Sequence, residues 1–343
     1  MSEDLTEPPR GYHRLRHDVG LVERSARGLI EISGTDRGAY LQGLLTNDIE
    51  HMTSGEGCYA TYLTPQGRMI ADLDVLNIGD RLLLDVDGGL TKRLVDRLDA
   101  LVFVEDVRVV DLRDTWSSSG IYGPGAAHLL SEVSGAPISE LTLYQSRSIT
   151  VGDATALVAR CDAIGIPGYH LLGERVAVVA IRAAVSEAGA TDVDHEAVEA
   201  VRVESGRPLF GADMDTETIP LEAGIEDRAI SFDKGCYVGQ EVIVRILHRG
   251  QGRVARRLIG LTLSGTEADT SGAPRPSPTL WHGENAVGRV TSTVHSPALR
   301  VPIALGYISR PFAEPGTEVE VGDAGARRGA VVTALPFVSP GRG

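Results

Sequence analysis

Residues 231–250 read SFDKGCYVGQEVIVRILHRG. Between Lys234 and Glu241 stand a lysine, a cysteine, a tyrosine, a glutamine and a glutamate, punctuated by Gly235 and Gly239. Glycines this close together let a backbone turn sharply or pass near a ligand. Cys236 lies two residues from Lys234, and a thiol beside a cation is biased toward the reactive thiolate. Two readings of Cys236 stand: a reactive sulfur, or a small buried side chain, the common fate of a free cysteine. Cys58 and Cys161 lack polar company in the sequence and default to the core.

Outward from this stretch, the chain has 343 residues, enough for two or three domains. Hydrophobic residues make up 42% and charged residues 23%, the balance of a globular chain with a real core. A net charge of −14 argues against a general nucleic-acid or anionic-membrane surface but leaves room for a local basic patch. One such patch is Arg245, Arg249, Arg253, Arg256 and Arg257 with His248. Arginines there suit carboxylates or phosphates, including those of RNA, and equally suit a solvated face. Three widely spaced cysteines give neither a disulfide framework nor a C-x-x-C metal pair, and a reducing cytoplasm is the expected compartment. The N-terminus lacks a secretory pattern, and residues 1–10 are expected to form a tail. The apolar run 176–181 is far too short to span a bilayer.

The pattern along the chain is α+β. Residues 29–32 predict a strand, 39–45 a helix, and 58–63, 69–76 and 81–86 further strands. Leu94, Val95, Leu98 and Leu101 mark one face of a helix over 90–102, and a strand follows at 107–110. A similar order recurs from Gly120, shifted by about 90 residues, with a helix at 175–188. It is read as two related, interleaved units or as two unrelated units sharing a motif. Past Gly250 come short strand-like runs at 257–263, 286–294, 303–308, 317–321 and 330–335, the mark of a barrel or sandwich. A long proline-bearing loop, 264–278, interrupts them. The expected divisions are 11–115, 116–244 and 245–343.

The block Lys234-Gly235-Cys236-Tyr237-Val238-Gly239-Gln240-Glu241 resembles the K-G-C-Y-x-G-Q-E signature of the YgfZ family. These are folate-binding proteins related to the glycine-cleavage T-protein, linked to iron–sulfur cluster maintenance and, in bacteria, to tRNA modification. The resemblance extends to Gln42–Asp48, which looks like the T-protein's early helix end, and to Arg202-Val203-Glu204-Ser205-Gly206, similar to its Arg-Leu-Glu-Ala-Gly. Residues 208–211 and 219–224 resemble the segments that follow it. It implies two interleaved ferredoxin-like α+β units in a T-protein-like ring plus a C-terminal β-barrel, with folate at the centre. It also places a helix at 240–248, where Val242, Ile243 and Val244 favour a strand by propensity.

Glu204 ends a helix over 194–205, on one face with Ala197 and Val201. A carboxylate on an apolar face must find donors or shift its pKa. A salt bridge to Arg202 or Arg207 would serve; the resemblance instead gives Glu204 to the pterin of tetrahydrofolate. By the same resemblance Tyr237 and Gln240 belong to the folate site, Arg245 and Arg249 hold its tail, and Cys236 with Lys234 carries the family-specific step. What Cys236 acts on stays open among a cluster, a sulfur relay and a one-carbon unit. Residues 67–75 resemble the T-protein's Gly-x-x-x-Asp-Asp-Leu-x-Val, with Ala71 in place of the first aspartate. This makes Asp72 either the acid of one-carbon transfer or, with Asp74, a solvent-facing pair on an amphipathic strand. No metal site is expected, since 195–199 is not H-E-x-x-H.

The implied function is tetrahydrofolate binding in support of iron–sulfur cluster assembly or repair, and through it tRNA modification. Its partners would be iron–sulfur proteins or their assembly factors, with RNA reached indirectly and no membrane. The alternative on the same fold is the aminomethyltransferase of glycine cleavage.

Overall fold

Two sheets lie face to face, and a barrel follows them. The computed structural model describes residues 7–248, 250, 252–265, 278–323 and 326–339. The first sheet has the order Gly57–Leu63, Met69–Asn77, Arg81–Asp87, Arg27–Ser33, Arg108–Asp111. The second runs Thr191–Asp192, Gly20–Glu23, Trp116–Tyr122, Gly168–Glu174, Ala154–Cys161, Ser146–Val151. The early strand Gly20–Glu23 therefore sits in the later sheet, antiparallel to Trp116–Tyr122.

Alternation decides what each sheet buries. In the first, Ile30, Ile32, Ala60, Leu73, Val75 and Leu84 pack under Leu94 and Leu98 of the helix Thr91–Asp99. In the second, Leu21, Ile121, Val158 and Leu171 pack under Val178, Ile181 and Val185 of the helix Arg175–Glu187. The opposite faces meet in a small apolar seam that includes Leu29, Leu76, Leu83, Ala159 and Leu172. Beside this seam the facing residues turn polar, and the candidate site is there.

The closed C-terminal barrel has six strands: Arg256–Leu263, Val301–Ser309, Asn285–Ser296, Thr279–His282, Glu318–Asp323 and Ala326–Thr333. The four-residue strand Thr279–His282 was not foreseen; it follows directly on the proline-bearing loop, and only its buried Leu280 signals a core position. The loop 264–278 lies, but for its ends, outside the described residues. Of the expected tail, residues 1–6 lie outside them too. Arg10 is tied down, because its carbonyl accepts the Asp194 N–H at 3.2 Å. The short helix Tyr12–His17 after it buries Tyr12 and Leu15.

Residues Gln240–His248 form a helix. Packing overrides β-propensity here: Ile243, Ile246 and Leu247 join a cluster with Leu63, Met69 and Leu221, while Val244 stays exposed. Gly239, just before this helix, has φ +87°, and a Cβ there would come within 2.5 Å of the Thr64 carbonyl oxygen. Around Gly235 there is open space. Gly239→Ala should therefore cost on the order of 1–3 kcal/mol through left-handed strain, with the steric clash adding to it, while Gly235→Ala stays near neutral; urea unfolding of the two variants compares them directly.

Candidate functional site

The strand Met69–Asn77 sets the site. A bulge at Ile70 leaves Leu63 opposite Met69 and Tyr62 opposite Ala71. The expected face of Ile70, Asp72, Asp74 and Leu76 is broken there, and Ile70 joins Ala71, Leu73 and Val75 in the core. Asp72 and Asp74 take the other side, toward the second sheet. Ala71 is fully buried, so an acid at position 71 would enter the hydrophobic core, whereas Asp72 faces the centre.

Tyr59 donates its hydroxyl to Asp72 Oδ2 at 2.8 Å. The other oxygen, Oδ1, is buried with no partner. Burial raises the Asp72 pKa, and the Arg27 charge pulls it back. An unpartnered buried carboxylate oxygen costs stability unless something donates to it. The Arg228 guanidinium lies 4.9 Å from the centre of the Tyr59 ring, and it donates to Tyr144 Oη at 3.2 Å and Asp162 Oδ1 at 3.0 Å. Arg207 pairs with the other oxygen of Asp162. Arg207, Arg228 and Asp162 remain about a quarter exposed, so solvent reaches this centre. A separate cleft of about 930 Å³, lined by Arg81, Trp116, Ser148, Leu172 and Ala177 among others, includes none of these residues.

Deeper in, Asp85 accepts from Arg24 at 2.7 Å and from Arg27 at 2.8 Å, which holds its carboxyl well below the usual range against the cost of burial. Asp74 stands opposite Asp85 across the sheet. Asp74, Asp85 and His170 bring one ligand atom each within 4.8 Å of one another.

The residues expected from the sequence separate. Glu204 is fully buried and its carboxylate is already saturated. It accepts from Tyr12 Oη at 2.8 Å, Ser296 Oγ at 2.5 Å and the Ala298 N–H at 3.2 Å, and it pairs with Arg16. Neither Arg202 nor Arg207 is its partner; Arg202 binds Glu199 and Asp213. Glu204 thus ties its helix to the N-terminal helix and the barrel and has nothing left for a pterin. Lys234 is also an anchor: Nζ donates to the carbonyls of Gln42, Leu45 and Asn47, each at 2.7 Å. Burial lowers its pKa to about 8, which leaves it an ammonium at neutral pH with all three protons engaged.

Cys236 is exposed, unlike the half-buried Cys58 and buried Cys161, whose thiols burial pushes up to about 12. Tyr237 is buried in the cluster around Leu63 and Met69, under the Lys234 ammonium, with its phenol raised to about 12 by burial. Gln240 opens the following helix, partly exposed, and Arg245 lies exposed along it. Arg249 lies outside the described residues. The cations at the centre are Arg207, Arg228 and Arg27 instead. Sequence reasoning missed them together with Tyr59, Tyr144 and Asp162; only the strand alternation around Asp72 could have pointed to that face.

The GCVT N-terminal domain family matches residues 9–234, and the glycine cleavage T-protein C-terminal barrel domain matches residues 256–339. The chain belongs to the glycine cleavage T-protein family. Among its relatives are the aminomethyltransferase of Prochlorococcus marinus (strain MIT 9313), 28% identical across 95% of this chain and 88% of the relative, and that of Streptomyces avermitilis, 29% identical across 94% and 87%. The glycine cleavage system aminomethyltransferase T of Bartonella henselae has a similar fold, with a TM-score of 0.85 at 23% identity over 96% of this chain and 89% of that one. Among the described residues no helix is long and apolar enough to cross a membrane.

Glu204→Gln should cost about 3–5 kcal/mol, the range for breaking a buried ion pair, without altering any ligand contact. Chemical denaturation reads the first effect. An unchanged ligand affinity per folded molecule reads the second.

Proposed function

We propose that this chain binds a tetrahydrofolate between its two sheets and performs folate-dependent one-carbon transfer of the aminomethyltransferase type. The observation that carries the reading is Asp72: a centre-facing carboxyl oriented by Tyr59, with one buried oxygen that lacks a donor. A ring N–H or amino group of a reduced pterin would satisfy that oxygen. Arg228 and Arg207 would offer charge to an acidic tail. Asp72 would hold or take up the proton displaced when the one-carbon unit changes hands. The names of the relatives support the same reaction.

A second reading, the YgfZ-type role in iron–sulfur cluster assembly or repair, is favoured by one observation: within the K-G-C-Y-V-G-Q-E block the thiol of Cys236 is exposed. Iron–sulfur proteins or their assembly factors would then be the partners, and any effect on tRNA would be indirect.

Aminomethyl transfer to tetrahydrofolate from a lipoylated carrier protein discriminates the two. Turnover that falls by about 10²–10⁴-fold in Asp72→Asn, with Cys236→Ser unaffected, supports the transferase. Folate binding without turnover, together with lost iron–sulfur enzyme activity in Cys236→Ser cells, supports the second reading. Saturating tetrahydrofolate should stabilise the fold in either case, by about 2.7 kcal/mol at a hundredfold excess over Kd. No thermal shift would remove folate from both.

A further inference from the structure

Asp74 is left over from the arrangement just described. It shares a strand face with Asp72 and stands opposite Asp85, yet among the described residues no donor lies within hydrogen-bonding distance of its carboxyl. The imidazole facing it, His170, presents Nδ1 at 3.9 Å, beyond hydrogen-bond range. Both nearby arginines, Arg24 and Arg27, are committed to Asp85.

The histidine is fixed from behind. Cys161 donates to Tyr122 Oη at 3.7 Å, and Tyr122 Oη lies 2.7 Å from His170 Nε2. A phenol that donates to Nε2 would leave the imidazole proton on Nδ1, and Nδ1 lies 3.6 Å from Asp85 Oδ2. Burial, with Arg24 close by, keeps His170 neutral, so it brings no charge to Asp74. From the loops, Arg228 is the remaining cation that acts on Asp74, and it is already paired with Asp162. From the neighbouring strand, Tyr59 donates to Asp72 instead. Two carboxyls meet across neighbouring strands, and both guanidiniums bond to only one of them. A metal ion could balance the second, but both oxygens of Asp85 are taken by guanidiniums that would repel it.

We propose that Asp74 is a second ligand-facing acid of the centre, held neutral by a proton and able to donate it in a hydrogen bond to a basic nitrogen or carbonyl oxygen of the bound heterocycle. Asp72 would accept from a donor edge while Asp74 donates to an acceptor edge. Full transfer would break the Asp74 O–H bond, form a bond from that proton to the ligand atom, and leave a carboxylate. The carboxyl's pKa, raised to about 7 by burial and by Asp85, agrees with this assignment.

The ligand half of this inference rests on the folate reading; the protonation of Asp74 does not. In the unfolded chain an aspartate titrates near about 4. Between that value and about 7 the unfolded chain gives up a proton that the folded one keeps. Wild-type stability therefore drops as pH rises through this window and levels off above it. The side-chain amide of the Asp74→Asn variant has no such proton to lose. The gap in Tm between Asp74→Asn and wild type, without ligand, should widen from pH 4.5 to 7.5 in favour of the variant and then stay flat. A gap independent of pH would overturn the proposal.

Should the variant fail to fold, carboxyl-carbon NMR of aspartate-labelled wild type gives the same reading. One aspartate titrating near neutrality in both wild type and Asp72→Asn supports it, and none overturns it. For the ligand half, tetrahydrofolate titration calorimetry at pH 6 and pH 8 should show affinity falling severalfold in wild type and staying constant in Asp74→Asn. Equal wild-type affinities at both pH values would overturn the donor role. No binding at all would remove the folate reading while the Tm comparison still decides Asp74.

Discussion

The Lys234 ammonium, buried beneath three carbonyl oxygens, holds the two ends of the site together. Its acceptors are Gln42, Leu45 and Asn47, at and just past the end of the helix Arg37–Gln42, where the unpaired carbonyls carry partial negative charge. The same short segment makes further ties to the chain before Lys234. Thr46 donates to the Ala229 carbonyl at 2.6 Å, and Asn47 Nδ2 donates to the carbonyls of both Tyr59 and Arg228. Arg228 is thereby held over the Tyr59 ring. The residues nearly two hundred positions apart that look like separate motifs in the sequence are one clasp in space. Its chemistry is structural, and the centre it organises lies next to it.

That centre works through uneven pairing. Asp85 has two guanidiniums, Asp162 has two, and Asp72 has a phenol and an empty oxygen. Saturated groups hold shape, because moving them would expose a buried charge. Unsaturated groups are where a ligand gains most, because it supplies what the protein omitted. By this reasoning Glu204, with four partners, belongs to the frame, and Asp72 is the group left open for a ligand to satisfy.

Much of the fold was legible in local pattern. Period-two runs gave the strands of the first sheet and most of the barrel, and the Leu94–Leu98 spacing gave a helix. Legibility failed where the deciding partner was remote. The acid at Glu204 was correctly read as stranded on an apolar face, but its cation, Arg16, stands 188 residues earlier. The Ile70 bulge moved one side chain across the sheet, which no alternation rule foresees. Arg228 and Tyr59 carry no local signal, since their meeting depends on the Lys234 clasp. For Ala71 the missing step was geometric: adjacent strand residues face opposite sides, so Ala71 lies in the core while Asp72 looks toward the centre.

The placement of Gly20–Glu23 has a consequence for how the protein is made. This strand is nearly all buried, yet its neighbours are Trp116–Tyr122 and Thr191–Asp192. On a ribosome it emerges about a hundred residues before the first of them and must wait, apolar and unpaired, while the whole first sheet is translated. Contacts that distant in sequence form slowly and leave sticky edges open in the meantime. The nascent chain is therefore at its most vulnerable to aggregation before residue 122 appears, and cutting it between the two sheets would leave both halves incomplete.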